Sequence, residues 1–482
     1  MDASSLDNRT HNTLVMKFGG TSVGSTEAIG QVVKISRDAL ASWPRVVVIV
    51  SAMSGVTDRL LQSAIQAAAG NSQVFNQAAQ ELRIRHHTIA EALVSDLAQQ
   101  FQVKQEINYL ITDFINLCQA IFVLGEATNR AMDTVAALGE RMSVRLVAGA
   151  LISAGIPSQY VEATQLIVTD DQFQSAHPDL AATTAATRQV LEPVLSQHKI
   201  PVVTGFIGAT TRGITTTLGR GGSDYSAALL GAALPADEVW IWTDVDGVMT
   251  ADPRLVPNAR TIPEISYREV GELAYFGAKV LHPKTIRPVI EAGISLRVCN
   301  TFNPDNPGTY LVSDQTALTD GVIKAVTGIR SISLITLEGR GMLGVPGVAA
   351  RTFGAVAATG VSVPLITQAS SEQSICFAVP VESKDNVVSA LEHAFAAEIA
   401  CRDIDRVWAT EELVIVTVVG AGMRNIPGVS GRVFSALGNR NVNVIAIAQG
   451  SSEVSISLVV GAKDIQAAVS AIHELIVPQK EV

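Results

Sequence analysis

The stretch "LVMKFGGTSVGS", Leu14–Ser25, decides how the first half of this chain is read. An apolar run of strand length ends at Phe18. A glycine pair, Gly19 and Gly20, follows, then the hydroxyls of Thr21 and Ser22. These are the ingredients of a phosphate loop, because glycine lets backbone N–H groups approach an anion closely. In a Walker loop, however, the lysine follows the glycines and stands directly ahead of Ser or Thr. Here Lys17 precedes them. Either this is an ordinary strand ending in a tight turn, or a different fold holds phosphate in a different way.

Outward from this stretch, β-branched runs alternate with helical stretches for about three hundred residues. "TLVMKF", "RVVVIV", "PSQYVEA", "QLIVTD", "IPVVTGFIGAT" and "EVWIWTDV" read as strands. Helices are expected over roughly 26–42, from "TDRLLQSAIQAAA", over roughly 74–122, and from "LGERMSVRLVAGALISAG", "PDLAATTAATRQVLEPVLSQ" and "GGSDYSAALLGAAL". The alternation predicts a mainly parallel sheet with helices on both faces, an α/β/α sandwich. Ligands of such sheets sit beyond the carboxyl ends of the strands.

The segment "TFNPDNPGTYLVSDQTALTDG" is rich in turn residues and marks a domain boundary. A repeat lies beyond it. Gly339 and Gly420 open its two copies, and Gln368 and Gln449 stand at the same 81-residue offset. Roughly half the aligned positions are identical without gaps, too many for chance. Each copy reads as the βαββα core of a ferredoxin-like βαββαβ module, with a further strand expected near 404–409. The expected domains are 1–313, 314–405 and 406–482, the two modules completing each other's sheets. A lone module leaves sheet edges open, so pairing with a second chain is expected, as a homodimer or dimer of dimers.

Composition removes several function classes. A net charge of −10 and 5% aromatic residues suit neither phosphate neutralisation nor base stacking, so no nucleic-acid partner is expected. The polar start "MDASSLDNRTHNT" has no apolar signal core, and uninterrupted apolar runs such as "VVVIV" are too short to cross a bilayer. Cys118, Cys299, Cys376 and Cys401 form no CxxC pair and are expected to be reduced, buried thiols of a cytoplasmic protein. The eight histidines show no metal-ligand spacing.

"LGRGGSDYSAA" is the sharpest chemical signal. Its glycines admit a ligand to a helix N-terminus, where free N–H groups favour anions. Arg220 adds a planar fork for carboxylate or phosphate, and Asp224 falls in the helix's first turn. A plain turn with Asp224 as cap explains the acid but not Arg220 beside the glycines. Three other motifs are weak singly: "TDVDGVMTADPR" is a good turn and no calcium loop, Lys279 in "FGAKVLHP" reads equally as a surface lysine, and Glu140 in "LGERMS" equally as an acid at a helix start. "GRGMLG" fits GxGxxG, but the second copy drops the third glycine and Pro364 stands where a ribose-binding acid belongs, so no dinucleotide site is expected.

Taken in order, "KFGGTSV", "SAMSGVTD", "GFIG", "LGRGGSDYSA", "WTDVDGVMTADPR", "FGAKVLHP" and "NTFNPDNPGT" resemble the aspartokinases, enzymes of the amino-acid kinase fold, over nearly the whole chain after about residue 13. The repeat resembles their ACT regulatory modules. "LITQASSEQSI" and "AIAQGSSEVSI" resemble the threonine-sensitive bifunctional aspartokinase–homoserine dehydrogenases, without a dehydrogenase portion in these 482 residues. The resemblance implies phosphoryl transfer from ATP to the β-carboxylate of L-aspartate, the first step towards lysine, threonine and methionine. It implies Lys17 on the transferred phosphoryl group with Gly19, Gly20, Thr21 and Ser22 around the phosphates. Arg220 would hold a substrate carboxylate, Glu140 the substrate ammonium, with Thr57 and Ser223 beside them, and Asp224 would order Lys17. Phe206, Thr243, Asp244, Met249, Arg254 and Lys279 match nucleotide positions, Met249 replacing a frequent tyrosine. Mg²⁺ would ride mainly on the phosphates, with no protein ligand assigned. Gln368 and Gln449 would bind an amino-acid effector, threonine ahead of lysine. Two rival expectations are a kinase of glutamate or N-acetylglutamate, which lacks the repeat, and a sensor with a dead kinase, against which Lys17, Arg220 and Asp224 stand intact.

Overall fold

The computed structural model describes residues 13–277, 281, 283–313, 322–369, 372–451 and 453–476. Its contacts divide them into two units. One holds the described residues of 13–248, 263–267 and 281–313; the other holds those of 249–262, 268–277 and 322–476.

In chain order the elements up to residue 313 begin with β1 (Thr13–Phe18), α1 (Thr26–Leu40), β2 (Arg45–Val50) and α2 (Val56–Ala68). Three long helices follow, α3 (Ser72–Leu93), α4 (Leu97–Leu124) and α5 (Asn129–Ser153). Then come β3 (Ser158–Val161), β4 (Val168–Thr169), α6 (Leu180–Ser196), β5 (Ile200–Thr204), β6 (Ile207–Thr210), β7 (Thr215–Thr217), α7 (Gly222–Ala233) and β8 (Glu238–Thr243). The run ends with β9 (Glu264–Ser266), α8 (Tyr267–Tyr275), α9 (Pro283–Ala292), β10 (Ser295–Asn300) and β11 (Thr309–Val312).

Eight strands form one sheet in the order β3-β5-β2-β1-β8-β10-β11-β9, all neighbours parallel except β10 and β11. β1 lies between β2 and β8 and is buried along its whole length. Helices cover a sheet buried on both faces, which is why its strands read as continuous apolar runs. The carboxyl ends of β1, β2, β5, β8 and β10 therefore open on one edge. Ser25 caps α1 by accepting from the Ala28 N–H (3.2 Å), which fixes where the chain leaves the glycine loop.

Several expectations change in detail. The helical stretch over 74–122 breaks at Val94–Asp96, where Asp96 caps α4 through the Gln99 N–H (2.8 Å). "IPVVTGFIGAT" is two strands, interrupted at Gly205 and Phe206. Glu140 lies in the middle of α5 and not at a helix start, because that helix begins after the Thr128 cap. The 28-residue α4 is long and apolar enough to cross a bilayer, contrary to the reading from uninterrupted runs. Its buried residues, Ile107, Ile111, Phe114 and Cys118 among them, pack into the first unit's core. Cys118 and Cys299 are buried, with burial pushing their thiols up to about 12, but Cys376 is half-buried and Cys401 exposed.

The second unit is built on the repeat, as β12 (Ala325–Glu338), α10 (Val348–Ala358), β13 (Leu365–Gln368), β14 (Ser374–Pro380), α11 (Lys384–Ala394), α12 (Ala396–Ala400), β15 (Arg406–Val419), α13 (Val429–Asn439), β16 (Val444–Gln449), β17 (Ser455–Gly461) and α14 (Ile465–Ile476). Its six strands form one antiparallel sheet in the order β13-β14-β12-β15-β17-β16. The 14-residue strands β12 and β15 each serve both modules. Ile332–Glu338 pairs with β14 on one side and with 406–413 on the other, giving the ferredoxin-like order for the first copy. Ala325–Ile329 pairs with Ile415–Val419, supplying the second copy with the fourth strand that its own sequence lacks. Register shifts near 329–334 bend the pair. The left-handed backbone repeats with the sequence: Ser331 and Glu412, Gly344 and Asn425, Glu372 and Glu453 all have positive φ at the 81-residue offset.

Two stretches from before residue 313 pack in this second unit. Thr250 accepts from the Val326 N–H (2.9 Å) and its hydroxyl meets His473 Nε2 on α14 (2.9 Å). Glu269 on α8 pairs with Lys324 (3.3 Å), both buried, and accepts from the Ala421 N–H (2.6 Å), while Glu272 accepts from the Ser455 hydroxyl (2.7 Å).

Candidate active site

The open edge of the sheet begins with Lys17, the penultimate residue of β1, level with Ile49 of β2 and Ile241 of β8. Its stem is buried and its ammonium reaches the edge, where it forms an ion pair with Asp224 in the first turn of α7. The glycine loop is pinned on both sides. The Gly19 N–H donates to the Trp242 carbonyl (3.1 Å) and the Ser54 N–H to the Gly20 carbonyl (2.9 Å). A Cβ on Gly20 would stand 2.9 Å from the Ala52 carbonyl, so only glycine fits there. Ser22 is fully buried, its hydroxyl 2.7 Å from that of Thr301. It is thereby placed to shape the loop through its backbone, while Thr21 is exposed. Arg85 on α3 donates to the carbonyls of Ser54 (2.9 Å) and Gly24 (3.0 Å), tying this loop to the one after β2.

A cavity of about 560 Å³ lies at this edge. Lys17, Thr57, Glu140, Phe206, Arg220, Ser223 and Asp224 all line it. Seven positions spread over two hundred residues of sequence thus meet in one space. Arg220 is exposed and makes no ion pair among the described residues, which leaves its guanidinium for a ligand. Gly205 allows α7 to approach, since a Cβ there would be 2.7 Å from that of Ser223. Phe206 holds a left-handed backbone (φ 67°), unusual for a bulky residue, with its N–H bound to the Ser226 hydroxyl (3.0 Å). It was expected at the nucleotide, and it lines the cavity shared by Lys17 and Arg220.

Glu140 is buried, and one of its oxygens accepts from the Ala52 N–H (3.2 Å). The other oxygen, Oε2, is buried without a hydrogen-bond partner among the described residues. Loss of water pushes this carboxyl up to about 8, against the hydrogen bond from Ala52. A buried carboxylate with an open oxygen is a receptor for a cation.

Of the remaining expected nucleotide residues, Thr243 and Asp244 stand at the carboxyl end of β8, with Thr243 accepting from the Thr301 N–H (2.9 Å). Met249 and Arg254 lie in the stretch that packs with the second unit. There the Thr261 hydroxyl contacts Met249 Sδ (3.6 Å) and Arg254 forks onto Asp252 (2.7 and 3.0 Å). Lys279 lies outside the described residues.

Residues 12–300 match the amino acid kinase family, and 335–395 and 416–475 match the ACT domain. The aspartokinase of Schizosaccharomyces pombe is 32% identical over 96% of this chain and 93% of its own length. The E. coli aspartokinase III structure in complex with aspartate and ADP superposes with a TM-score of 0.80 at 31% identity, covering 96% of this chain and 99% of that one.

The chain belongs to the amino acid kinase family, among the aspartokinases.

The bifunctional aspartokinase/homoserine dehydrogenase 1 of Zea mays is 38% identical over 95% of this chain. The chain spans about half the length of that relative. In this chain the second unit holds its own cavity, of about 330 Å³, where Gln368 and Glu372 face Gly344, Pro346 and Gly347 ahead of α10. Glu372 accepts from the Gly344 N–H (3.1 Å), and Glu453 repeats this bond to the Asn425 N–H (2.8 Å) in the second copy. Gln368 and Gln449 end β13 and β16, both exposed.

Sequence reasoning missed Asp133, Gln174 and Thr217, which also line the first cavity. A signal for Asp133 existed: it precedes Glu140 by seven residues, two turns on the same face of α5.

Proposed function

We propose that this protein transfers the γ-phosphoryl group of ATP to the β-carboxylate of L-aspartate, forming 4-phospho-L-aspartate. The observation that carries the reading is the cavity that joins the Lys17–Asp224 pair, the free fork of Arg220 and the open oxygen of Glu140. An α-amino dicarboxylic acid offers one partner to each: a carboxylate for Arg220, an ammonium for Glu140, and a second carboxylate directed towards Lys17. That carboxylate is ionised at neutral pH, so no general base is needed. The chain's task is to bring two anions into line and offset their charge.

Lys17 neutralises the phosphoryl oxygens as the transfer proceeds, and Asp224 holds its ammonium at the end of β1. The backbone of Gly19–Ser22 embraces the phosphates, and Thr57 and Ser223 narrow the space around the substrate. Thr243, Asp244, Met249, Arg254 and Lys279 are proposed for the nucleotide. Mg²⁺ is proposed to enter with ATP, held mainly by phosphates, where it would offset their charge. That cation keeps much of its water and takes few protein ligands.

We also propose feedback control by an end-product amino acid at Gln368 and Gln449, threonine before lysine. The cavity beside Gln368 supports the first site, and the repeated Glu372 and Glu453 bonds support a second. E. coli aspartokinase III has been seen in complex with lysine and aspartate. A homodimer or dimer of dimers through the ACT modules is proposed from the exposed Ile366, Ile445 and Ile447 on the edge strands β13 and β16. The cytoplasm is the proposed compartment.

The test is ADP release with L-aspartate, L-glutamate and N-acetyl-L-glutamate offered separately. Release with aspartate and not with the others is expected; release with either of the others and not with aspartate overturns the reading.

A further inference from the structure

Asp133 is the one carboxylate in the main cavity that the proposed reaction leaves without a task. It is 1% exposed and pairs with no cation among the described residues. Its charge is met by three donors from two separate segments. The Gln174 N–H reaches both oxygens (3.1 and 3.0 Å), the Thr217 N–H reaches Oδ2 (2.9 Å) and the Thr217 hydroxyl reaches Oδ1 (2.9 Å). Desolvation nonetheless dominates and pushes its pKa up, so the carboxylate is held at a cost.

What these bonds fix lies just downstream. Thr217 ends β7, and Leu218, Gly219 and Arg220 follow at once. The Thr217 carbonyl accepts from the Ala176 N–H (2.9 Å), and the Leu218 N–H donates to the Phe206 carbonyl (2.9 Å). Gly219 lies against Gln174, where a Cβ would meet the Gln174 carbonyl at 3.1 Å. Gln174 itself is held left-handed (φ 69°), a conformation that presents its N–H to Asp133. The loop that carries Arg220 thus springs from a node whose centre is one carboxylate. Arg220 has no ion pair of its own among the described residues, so its backbone must hold it in place.

We infer that Asp133 is a positioning residue for substrate: by gathering Gln174 and Thr217 it sets the loop that aims Arg220 at the carboxylate of the acidic substrate. The inference rests on the proposed aspartate-kinase reading. Asparagine weakens the node: its one oxygen can accept from both N–H groups at the Oδ2 place, but its NH2 then faces the Gln174 N–H that had bridged both oxygens, and the Thr217 hydroxyl must turn from donor to acceptor.

The experiment is steady-state kinetics of the full chain for wild type, Asp133→Asn, Thr217→Val, Arg220→Ala and the double variant Asp133→Asn/Arg220→Ala. Asp133→Asn should raise KM for aspartate by about tenfold or more, since displacement of a positioning group by an ångström has effects of this order. Its KM for ATP should stay within about twofold, and kcat should fall less than KM rises. Thr217→Val, which removes only the hydroxyl bond, should shift aspartate KM in the same direction by a few-fold, and decides the matter should Asp133→Asn fail to fold. The double variant should bind aspartate no worse than Arg220→Ala alone, as expected when one residue acts through the other. Additive losses in the double variant, or equal rises in KM for aspartate and ATP, would make Asp133 a general structural group and overturn the inference. A wild type inactive on aspartate would instead overturn the functional reading and this assignment with it.

Discussion

On the proposed reading Glu140 links aspartate binding to pH, and the link can be worked out in magnitude. With its buried carboxyl pushed up to about 8, the ligand-free site is mostly neutral at pH 7. One pH unit below the pKa, about one molecule in ten carries the charge, a free-energy difference of about 1.4 kcal/mol. Only the ionised form pairs with the substrate ammonium, which stays charged throughout this range. Binding at pH 7 therefore releases a proton. Wild-type KM for aspartate should fall about tenfold per pH unit below 8 and level off above it, some fiftyfold in all from pH 6 to 8. Glu140→Gln keeps the shape and the Ala52 contact but removes the titration, so its KM should be high and flat over the same range. The assay is initial-rate kinetics at saturating ATP from pH 6 to 9. A flat wild-type KM, or the same slope in Glu140→Gln, would refute the assignment.

The same carboxyl has an opposite effect on stability. The folded protein retains the proton up to about 8, whereas the unfolded chain releases it near 4.5. In that window the folded state binds more protons, so stability falls as pH rises. Glu140→Gln should therefore stabilise the protein by on the order of 3 kcal/mol at pH 7 and by nothing below pH 4. Thermal unfolding at the two pH values checks the sign.

Three further outcomes are expected. Lys17→Ala should lower kcat by about 10²–10³, the loss of one preorganised electrostatic contact; near wild-type turnover would remove Lys17 from the phosphoryl site. Gln368→Ala should abolish most inhibition by millimolar threonine while leaving uninhibited turnover intact, against a coupling of about 1–3 kcal/mol in the wild type; unchanged inhibition in this variant and in Gln449→Ala would exclude both amides. Glu269→Ala should destabilise the second unit by about 1–3 kcal/mol, because it removes the buried bonds to Lys324 and to the Ala421 N–H; urea unfolding followed by fluorescence would show it, and an unmoved midpoint would deny Glu269 that role.

Much of this architecture was legible because it rests on local pattern. β1 with its glycine pair, α7 with its acid in the first turn, and the 81-residue repeat all follow from short-range periodicity and turn chemistry. What escaped is tertiary. Nothing local tells that Ala325–Ile329 completes the sheet of the second copy across some ninety residues, or that 249–262 and 268–277 belong with the ACT modules. The motif around Glu140 suggests a helix start because it does not show the cap at Thr128, twelve residues earlier. Asp133 went unseen because its partners are backbone groups of Gln174 and Thr217, which carry no mark in side-chain identity. Ser22 shows the converse: the motif named the residue, but only the fold shows its hydroxyl turned to Thr301.

The central claim is that a carboxylate oxygen of aspartate is the phosphoryl acceptor. An acyl phosphate reacts with hydroxylamine, so the most direct measurement is to incubate the wild type with ATP, Mg²⁺, L-aspartate and hydroxylamine and identify the product by mass and by comparison with authentic hydroxamates. Aspartate β-hydroxamate formed one-for-one with ADP is the predicted result. ADP released without hydroxamate, or hydroxamate at the α-carboxyl, would contradict the account.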